Sequence, residues 1–501
     1  MFLLNIHPST AVTIPYTHDH ACANNDCSEN KPTKKNIIMM VSDGTGASSF
    51  NLGRYVRQYR DGLNNTDILE IENFFGGLSR TRSSSSWVTD SAAGATAFAC
   101  GHKTYNNGIS ITADKKPVAS ILEALKLEGW TTGLVVTTGI TDATPAAYNS
   151  HAEYRKYQAY IAQQQLGLNN TLGVVTDLMM GGGRCYYVPQ NSEEFESCRE
   201  DDVDLLAYAK EIGFNVASTK AEYDALNQGQ NTSLPLLALL ADFNYPYAID
   251  REETQVPTQA HQAKTALHLL DEATKDKEQG FFLMLEGSRI DHGGHANDAP
   301  SHAHEVLAYN DMFLEVLDYV QNTDTETIII STSDHECGGL TLGLQTPDEE
   351  DGDAFYGWYP EVLLAAKKSG EYLAKQLVEF NSTSDEELKQ FVNTAIFQAG
   401  LGINNATDDE IAKVIAKKDD AEVTINHVLD NRAHIGWTST GHTGADVNIF
   451  TYANKLDAQQ LLNDYLMQNV ENTEIARFLE IYTGTNLTAV SEKLEGIVIK
   501  P

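Results

Sequence analysis

The sequence predicts an α/β protein built on a central, mostly parallel β-sheet flanked by helices, and three observations carry that expectation. Short apolar runs of strand length alternate with amphipathic helical patterns, as a sheet covered on both faces requires. The chain has 501 residues, enough for one large core carrying an insertion. Each of the clearest strands runs into a polar turn at its C-terminal end, the edge at which open α/β sheets bind ligands.

Residues 1–35 are polar and aperiodic and read as an N-terminal arm. The strands that follow are Asn36–Val41, Gly133–Thr137, Phe281–Leu285 and Thr327–Ser331, with helices expected over Ala119–Glu128, Asp201–Ile212 and Gln262–Ala273. After Gly343 the composition changes. Residues 346–435 are acidic and helix-forming and read as an insertion capping the core, which would comprise 36–345 and 436–501. The charge run Pro347–Asp353 reads as a solvated loop, and the core resumes at Ile435–Gly441 and the apolar Val447–Tyr452.

Composition narrows the function. A hydrophobic content of 42% is that of a folded globular chain. Seventy acidic against 35 basic residues leave a net charge of −35, which repels phosphate backbones and opposes nucleic-acid binding. An anion-handling site in such a chain needs local cations, and bound metals would supply them. Six cysteines are too few for a disulfide scaffold. Cys22 with Cys27 and Cys185 with Cys198 are close in sequence, whereas Cys100 and Cys337 sit in apolar or glycine-rich surroundings and read as buried free thiols. Asn-x-Ser/Thr sequons at Asn64, Asn169, Asn231, Asn381, Asn405 and Asn486, with the local cysteine pairs, favour an oxidising compartment: secreted, periplasmic or a vacuolar lumen. No apolar run approaches the ~18 residues of a membrane span. Met1–Ile6 is too short for a signal-peptide core, so a leader or anchor is expected to be absent from this sequence.

The chemistry collects at the strand ends. Asn36–Val41 leads to Ser42-Asp43-Gly44, Gly133–Thr137 to Thr141-Asp142-Ala143-Thr144, Phe281–Leu285 to Glu286 and on to Asp291-His292-Gly293-Gly294-His295, and Thr327–Ser331 to Asp334-His335-Glu336. Four strands delivering carboxylates and imidazoles to one edge point to a polynuclear metal site. Asp291 and His295 straddle a Gly-Gly turn that would fold both onto one ion, and Asp334-His335 supplies two more adjacent donors. Mixed His/Asp ligation suits zinc, whereas a set of Glu, Asp and Thr oxygens suits magnesium. Any one pair alone reads as a helix cap. Asp90-Ser91-Ala92-Ala93-Gly94 opens a small-residue helix whose N-terminus would welcome phosphate, although alone Ser91 reads as an N-cap serine.

Val88-Thr89-Asp90-Ser91-Ala92-Ala93-Gly94-Ala95-Thr96-Ala97 resembles the nucleophile signature of the alkaline phosphatase family. Val41-Ser42-Asp43-Gly44, Asp142-Ala143-Thr144-Pro145-Ala146, Glu286 through His295, Ser333-Asp334-His335-Glu336 and Gly441-His442-Thr443 resemble its other motifs in order, and the local wording at Arg80–Ser86 and Thr323–Glu326 is most similar to fungal repressible vacuolar members. The resemblance implies an alkaline phosphatase-like fold with a crown-type insertion at 346–435, and hydrolysis of small phosphate monoesters through a phosphoserine at Ser91. It implies two Zn2+ and one Mg2+ per chain. Asp291, His295 and His442 would hold one zinc, Asp43, Asp334 and His335 the other, and Asp43, Thr144 and Glu286 the magnesium. Arg155 would grip the phosphate. Inorganic phosphate would inhibit as product, and the chain would form a homodimer. Asp142 paired with His292 departs from the Asp/Lys of many bacterial members and the His/His of animal ones, which bears on the third metal and on phosphate affinity. Rival readings are a phosphodiesterase or phosphonate hydrolase of the same superfamily, and a catalytically inactive metal-binding glycoprotein.

Overall fold

The computed structural model describes residues 34–345 and 355–500. All but the last two residues of the arm, together with Cys22, Cys27 and the run Pro347–Asp353, lie outside the described residues. In chain order the strands are β1 Lys35–Val41, β2 Phe75–Arg80, β3 Thr131–Gly139, β4 Leu178–Gly182, β5 Asn215–Ala217, β6 Leu236–Leu239, β7 Phe281–Glu286, β8 Glu326–Thr332, β9 Glu336–Cys337, β10 Thr341–Leu342, β11 Ile435–Gly436, β12 His442–Thr443, β13 Val447–Ala453 and β14 Asn469–Glu471.

Ten of them form one sheet in the order β14-β2-β13-β8-β1-β7-β3-β4-β6-β5. Every pairing in it is parallel except those of β13, which runs antiparallel to both β2 and β8. The sheet is apolar on both faces, which is why its central strands read as continuous apolar runs rather than alternating ones. Strand β1 shows this directly: Ile38 and Met40 enter one hydrophobic layer, and Ile37, Met39 and Val41 the other.

The four expected strands are β1, β3, β7 and β8, and they lie side by side at the centre. Register levels three of the ends, Val41 pairing with Glu286 of β7 and with Thr332 of β8, while β3 runs on to Gly139. The segments that leave β1, β7 and β8 therefore emerge together. The expected helices form as Ile121–Leu127, Leu205–Glu211 and Gln259–Thr274, each started by a capping side chain on Ser120, Asp204 or Thr258.

The described part of the segment read as an insertion is helical, with helices at Pro360–Leu363, Gly370–Glu379, Asp385–Phe391, Asp408–Ala416 and Glu422–Ala433 and a π-helical stretch at Val392–Leu401. It is tied to the core beside the sheet edge. The Gly370 amide donates to Asp298 at 2.7 Å, Asn426 Nδ2 to the Ala296 carbonyl at 2.9 Å, and Arg289 pairs with Glu371 at 2.5 Å. Two short ladders join the flanks of this segment, β10 with β11 and β9 with β12. Cys185 and Cys198 form a disulfide, and Cys100 and Cys337 are free and buried. All six sequon asparagines are exposed. No helix among the described residues is long and apolar enough to cross a membrane.

Candidate metal centre

Asp43 stands two residues beyond β1, Glu286 ends β7, and Asp334 stands two beyond β8. Thr144 lies on the helix Ala143–Asn149 that follows β3. Asp291 and His295 come from the helix Arg289–His295, and His442 from β12. The expected Gly-Gly turn between Asp291 and His295 is instead the interior of that helix. Its i,i+4 spacing stacks the two side chains on one face, and His295 Nε2 lies 3.2 Å from Asp291 Oδ2. Gly44 makes the close approach possible: it has φ of +73°, and a Cβ there would lie 2.4 Å from the Asp291 Cα.

Two donor groups result. One comprises Asp291, His295, His442 and, unanticipated as a donor, Cys337; the other comprises Asp43, Asp334 and His335. In the first group each histidine is oriented by the backbone. Nδ1 of His295 donates to the Thr440 carbonyl at 2.6 Å and Nδ1 of His442 to the Thr89 carbonyl at 2.8 Å. Carbonyls only accept, so both Nδ1 atoms carry the hydrogen, and in the neutral rings both Nε2 atoms present lone pairs. Those Nε2 atoms face each other at 3.0 Å, with Asp291 Oδ1 3.5 Å from that of His442. Acceptors converging like this need a cation between them, and a histidine whose other nitrogen donates to a carbonyl is the usual form of a metal ligand.

The second group makes the same demand. Asp334 Oδ1 is satisfied by the amides of Gly44 at 3.2 Å and His335 at 3.0 Å, which leaves Oδ2 facing the site. That Oδ2 is 2.9 Å from His335 Nε2 but out of hydrogen-bond alignment. Asp43 Oδ1, Asp291 Oδ1, Asp334 Oδ2 and His335 Nδ1 are buried without hydrogen-bond partners, an arrangement that is costly unless a cation serves it. The residues present thus fit divalent metal. A third, oxygen-only set lies alongside: Thr144 Oγ1 donates to Asp43 Oδ2 at 3.4 Å, and Glu286 accepts from Ser288 at 2.8 Å.

Charge crowding appears in the ionisation of these groups. Burial first, then Asp334, Asp291 and Glu286, hold the Asp43 carboxyl well above the carboxylate range. Burial likewise pushes Glu286 up to about 8. Burial would lower His295, but Asp291 outweighs it and pushes the imidazole up to about 9, a proton supplying the positive charge the cluster lacks. Burial and Asp291 push the Cys337 thiol up.

Ser91 is the first residue of the buried helix Ser91–Cys100, capped by Asp90, whose side chain accepts from the Ala93 amide. Its Oγ lies 3.1 Å from His335 Nε2, on the second donor group. Arg155 is brought alongside: Nη1 lies 3.4 Å from Asp90 Oδ2 and Nη2 donates to Asp142 Oδ1 at 2.9 Å. Of the residues expected at the site, His335 touches Ser91 and Arg155 is held by the adjacent Asp90. Asp142 also accepts from the Ala143 amide at 2.7 Å. His292 is half-buried, and its Nδ1 accepts from Arg289 Nε at 3.2 Å. Arg289 stacks on Tyr247 at 3.7 Å. Glu336 accepts from the Gly339 and Leu340 amides at 3.0 and 3.2 Å and from Thr443, a structural role that ties the turn after β9 to β12. Sequence reasoning missed Cys337 and the hold of Asp90 on Arg155. Nothing local signals Cys337; Asp90 could have been suspected from its place beside Ser91.

The alkaline phosphatase family model matches residues 34–485. The repressible alkaline phosphatase of Saccharomyces cerevisiae is 43% identical over 473 residues, covering 92% of this chain and 83% of the relative. The alkaline phosphatase of Schizosaccharomyces pombe is 40% identical over 469 residues, with the same 92% and 83% coverage. Among solved structures, Thermus thermophilus alkaline phosphatase is 25% identical, covers 95% of each chain and superposes with a TM-score of 0.73.

The carboxylate crowding sets a sign for the metal-free chain. Glu286 is raised from an ordinary 4.5 to about 8, so over that range the folded state holds a proton that the unfolded state has released. Stability in chelator therefore falls as pH rises through the window. Thermal midpoints measured in chelator should decline across it, Glu286→Gln should reduce the decline, and saturating zinc and magnesium should flatten it. A wild-type midpoint in chelator that is flat or rises across the window contradicts the crowding.

Proposed function

The chain belongs to the alkaline phosphatase family and is a metal-binding phosphomonoester hydrolase, and we propose that it works through a phosphoserine formed at Ser91. The observation that carries this reading is the placement of Ser91 Oγ against His335 Nε2, at the start of a buried helix and next in sequence to Asp90, which pairs with the Arg155 guanidinium. Asp291, His295 and His442 would hold one zinc and Asp43, Asp334 and His335 a second, which the mixed nitrogen and oxygen donors support. Asp43, Thr144 and Glu286 would hold magnesium, in keeping with an all-oxygen set. When bound, these ions supply positive charge that acidifies a hydroxyl or water and neutralises developing negative charge on phosphoryl oxygens.

The chain's own residues do the remaining work. Arg155, its fork steadied by Asp90 and Asp142, binds two oxygens of the substrate phosphate. Free amides at the start of the helix Ser91–Cys100 and its dipole favour the same negative group. Ser91 Oγ gives up its proton and attacks phosphorus as the bond to the leaving alcohol oxygen breaks, and that oxygen takes up a proton. Water then gives up a proton and attacks the phosphoserine, the Oγ–P bond breaks, Oγ is reprotonated, and inorganic phosphate leaves. Asp142 is acidified despite its burial, because Arg155 and His292 outweigh desolvation, so it stays ionised and keeps Arg155 in place. Product phosphate meets the same groups as substrate phosphate, which supports product inhibition.

The same reading takes the active species to be a homodimer, as the resemblance implies. It takes the working compartment to be oxidising: the exterior, a periplasm or a vacuolar lumen. The Cys185–Cys198 disulfide and six exposed sequon asparagines support that environment, with glycans on some of those asparagines.

The test is release of p-nitrophenol from its phosphate monoester, which should be lost in chelator. Ser91→Ala should lower kcat by at least about a thousandfold with metal retained. Arg155→Ala should raise KM and weaken phosphate inhibition more than it lowers kcat. Chelator-insensitive turnover, activity confined to diesters, or metal loss in Ser91→Ala would each overturn the assignment.

A further inference from the structure

The residue left over by that mechanism is Cys337. It lies in β9, and the antiparallel register pairs Cys337 with His442 and Glu336 with Thr443. Directly opposed residues send their side chains to the same face, with Cβ atoms about 4.5–5.5 Å apart. The thiol is therefore set beside the His442 imidazole by the backbone itself. The opposite wall is the helix Arg289–His295, where Gly294 leaves the space the sulfur occupies: a Cβ there would come within 2.8 Å of the Cys337 Cβ and 3.0 Å of its Sγ. Asn297 Nδ2 ties that helix to the loop before β12, donating to the carbonyls of Gly294 at 2.8 Å and Ser439 at 2.9 Å. Two independent elements thus close on one sulfur.

The surroundings call for a ligand. One donor atom from each of Asp291, His295, Cys337 and His442 falls within 4.8 Å of the other three. Asp291 is 6% exposed, and its Oδ1 has no hydrogen-bond partner. Cys337 is fully buried, with its sulfur 3.7 Å from the Gly441 carbonyl and beside the Asp291 carboxylate.

We propose that Cys337 Sγ is a fourth side-chain ligand of the first metal, giving an Asp–His–Cys–His set softer than the Asp–Asp–His set beside Ser91. The inference rests on the metal-centre reading above. A thiolate biases its site toward zinc and against the hard ions that oxygen donors accept. Four-coordinate zinc can expand to five, so a fourth protein ligand leaves room for a phosphate oxygen. The two zinc positions then differ in affinity, the cysteine-containing one being the last to empty.

Cobalt substitution of the full chain reads this without reference to turnover. Protein stripped of metal and reloaded with Co2+ should show visible ligand-field bands together with a near-ultraviolet thiolate-to-cobalt charge-transfer band. Cys337→Ser should lose the charge-transfer band and keep the ligand-field bands, and Cys100→Ser should keep both. Competition with a chromophoric chelator should show the tightest zinc of Cys337→Ser weakened at least about tenfold, a loss at the level expected for a ligand shell. Ligand-field bands without charge transfer in the wild-type protein overturn thiolate ligation, as does a charge-transfer band that survives Cys337→Ser. The wild-type spectrum decides even if the variant fails to fold. Absence of any cobalt bands overturns the metal centre itself, and this ligand with it.

Discussion

The constraint on which the rest of the structure depends is electrostatic: Asp43, Glu286, Asp291 and Asp334 are all nearly excluded from solvent at one sheet edge. Like charges so close in a medium of low dielectric constant cannot all ionise without compensation. The protein offers little of its own. Arg155 is engaged by Asp90 and Asp142, and Arg289 by Glu371. The raised pKa of Asp43, Glu286 and His295 in the metal-free chain, each group holding on to a proton, is the mark of a site arranged for divalent cations. A chain with a net charge of −35 can in this way present a positive face to phosphate at a single point.

The fold is organised to hold that crowd rigidly. Because β8, β1, β7 and β3 are adjacent, donors arrive from the C-terminal ends of four independent strands, and no single loop sets the geometry. The remaining donors come from short elements braced against one another: the helix Arg289–His295, β9 and β12. Asn297 and the backbone carbonyls of Thr89 and Thr440 fix their orientation. On the proposed mechanism, such bracing would hold the Ser91 hydroxyl and the Arg155 fork in place at little reorganisation cost during reaction.

The parts of this legible in the sequence are those encoded locally. The central strands are continuous apolar runs because both sheet faces are covered, and the donors follow them within a few residues. The flanking strands escaped notice for physical reasons: β2 reads Phe-Gly-Gly-Leu-Ser-Arg, and β5 and β14 are three residues each. Their pairing is decided by neighbours distant in the chain. Gly293-Gly294 suggested a turn, but the helix tolerates both because a side chain at Gly294 would collide with Cys337. Cys337 read as a buried free thiol because its cross-strand partner, His442, lies about a hundred residues on, beyond the helical segment between β10 and β11. The exchange between Arg155 and Asp90 is likewise a tertiary contact between residues far apart in the chain.

The central claim is that the buried donors at the sheet edge exist to hold several divalent ions around one serine. Elemental analysis of the purified, active protein, followed as zinc is withdrawn stepwise, tests it most directly. Two zinc and one magnesium per chain are expected, with activity gone once the first zinc, the one beside Ser91, has been withdrawn. Full activity in protein carrying less than one divalent ion per chain would contradict it.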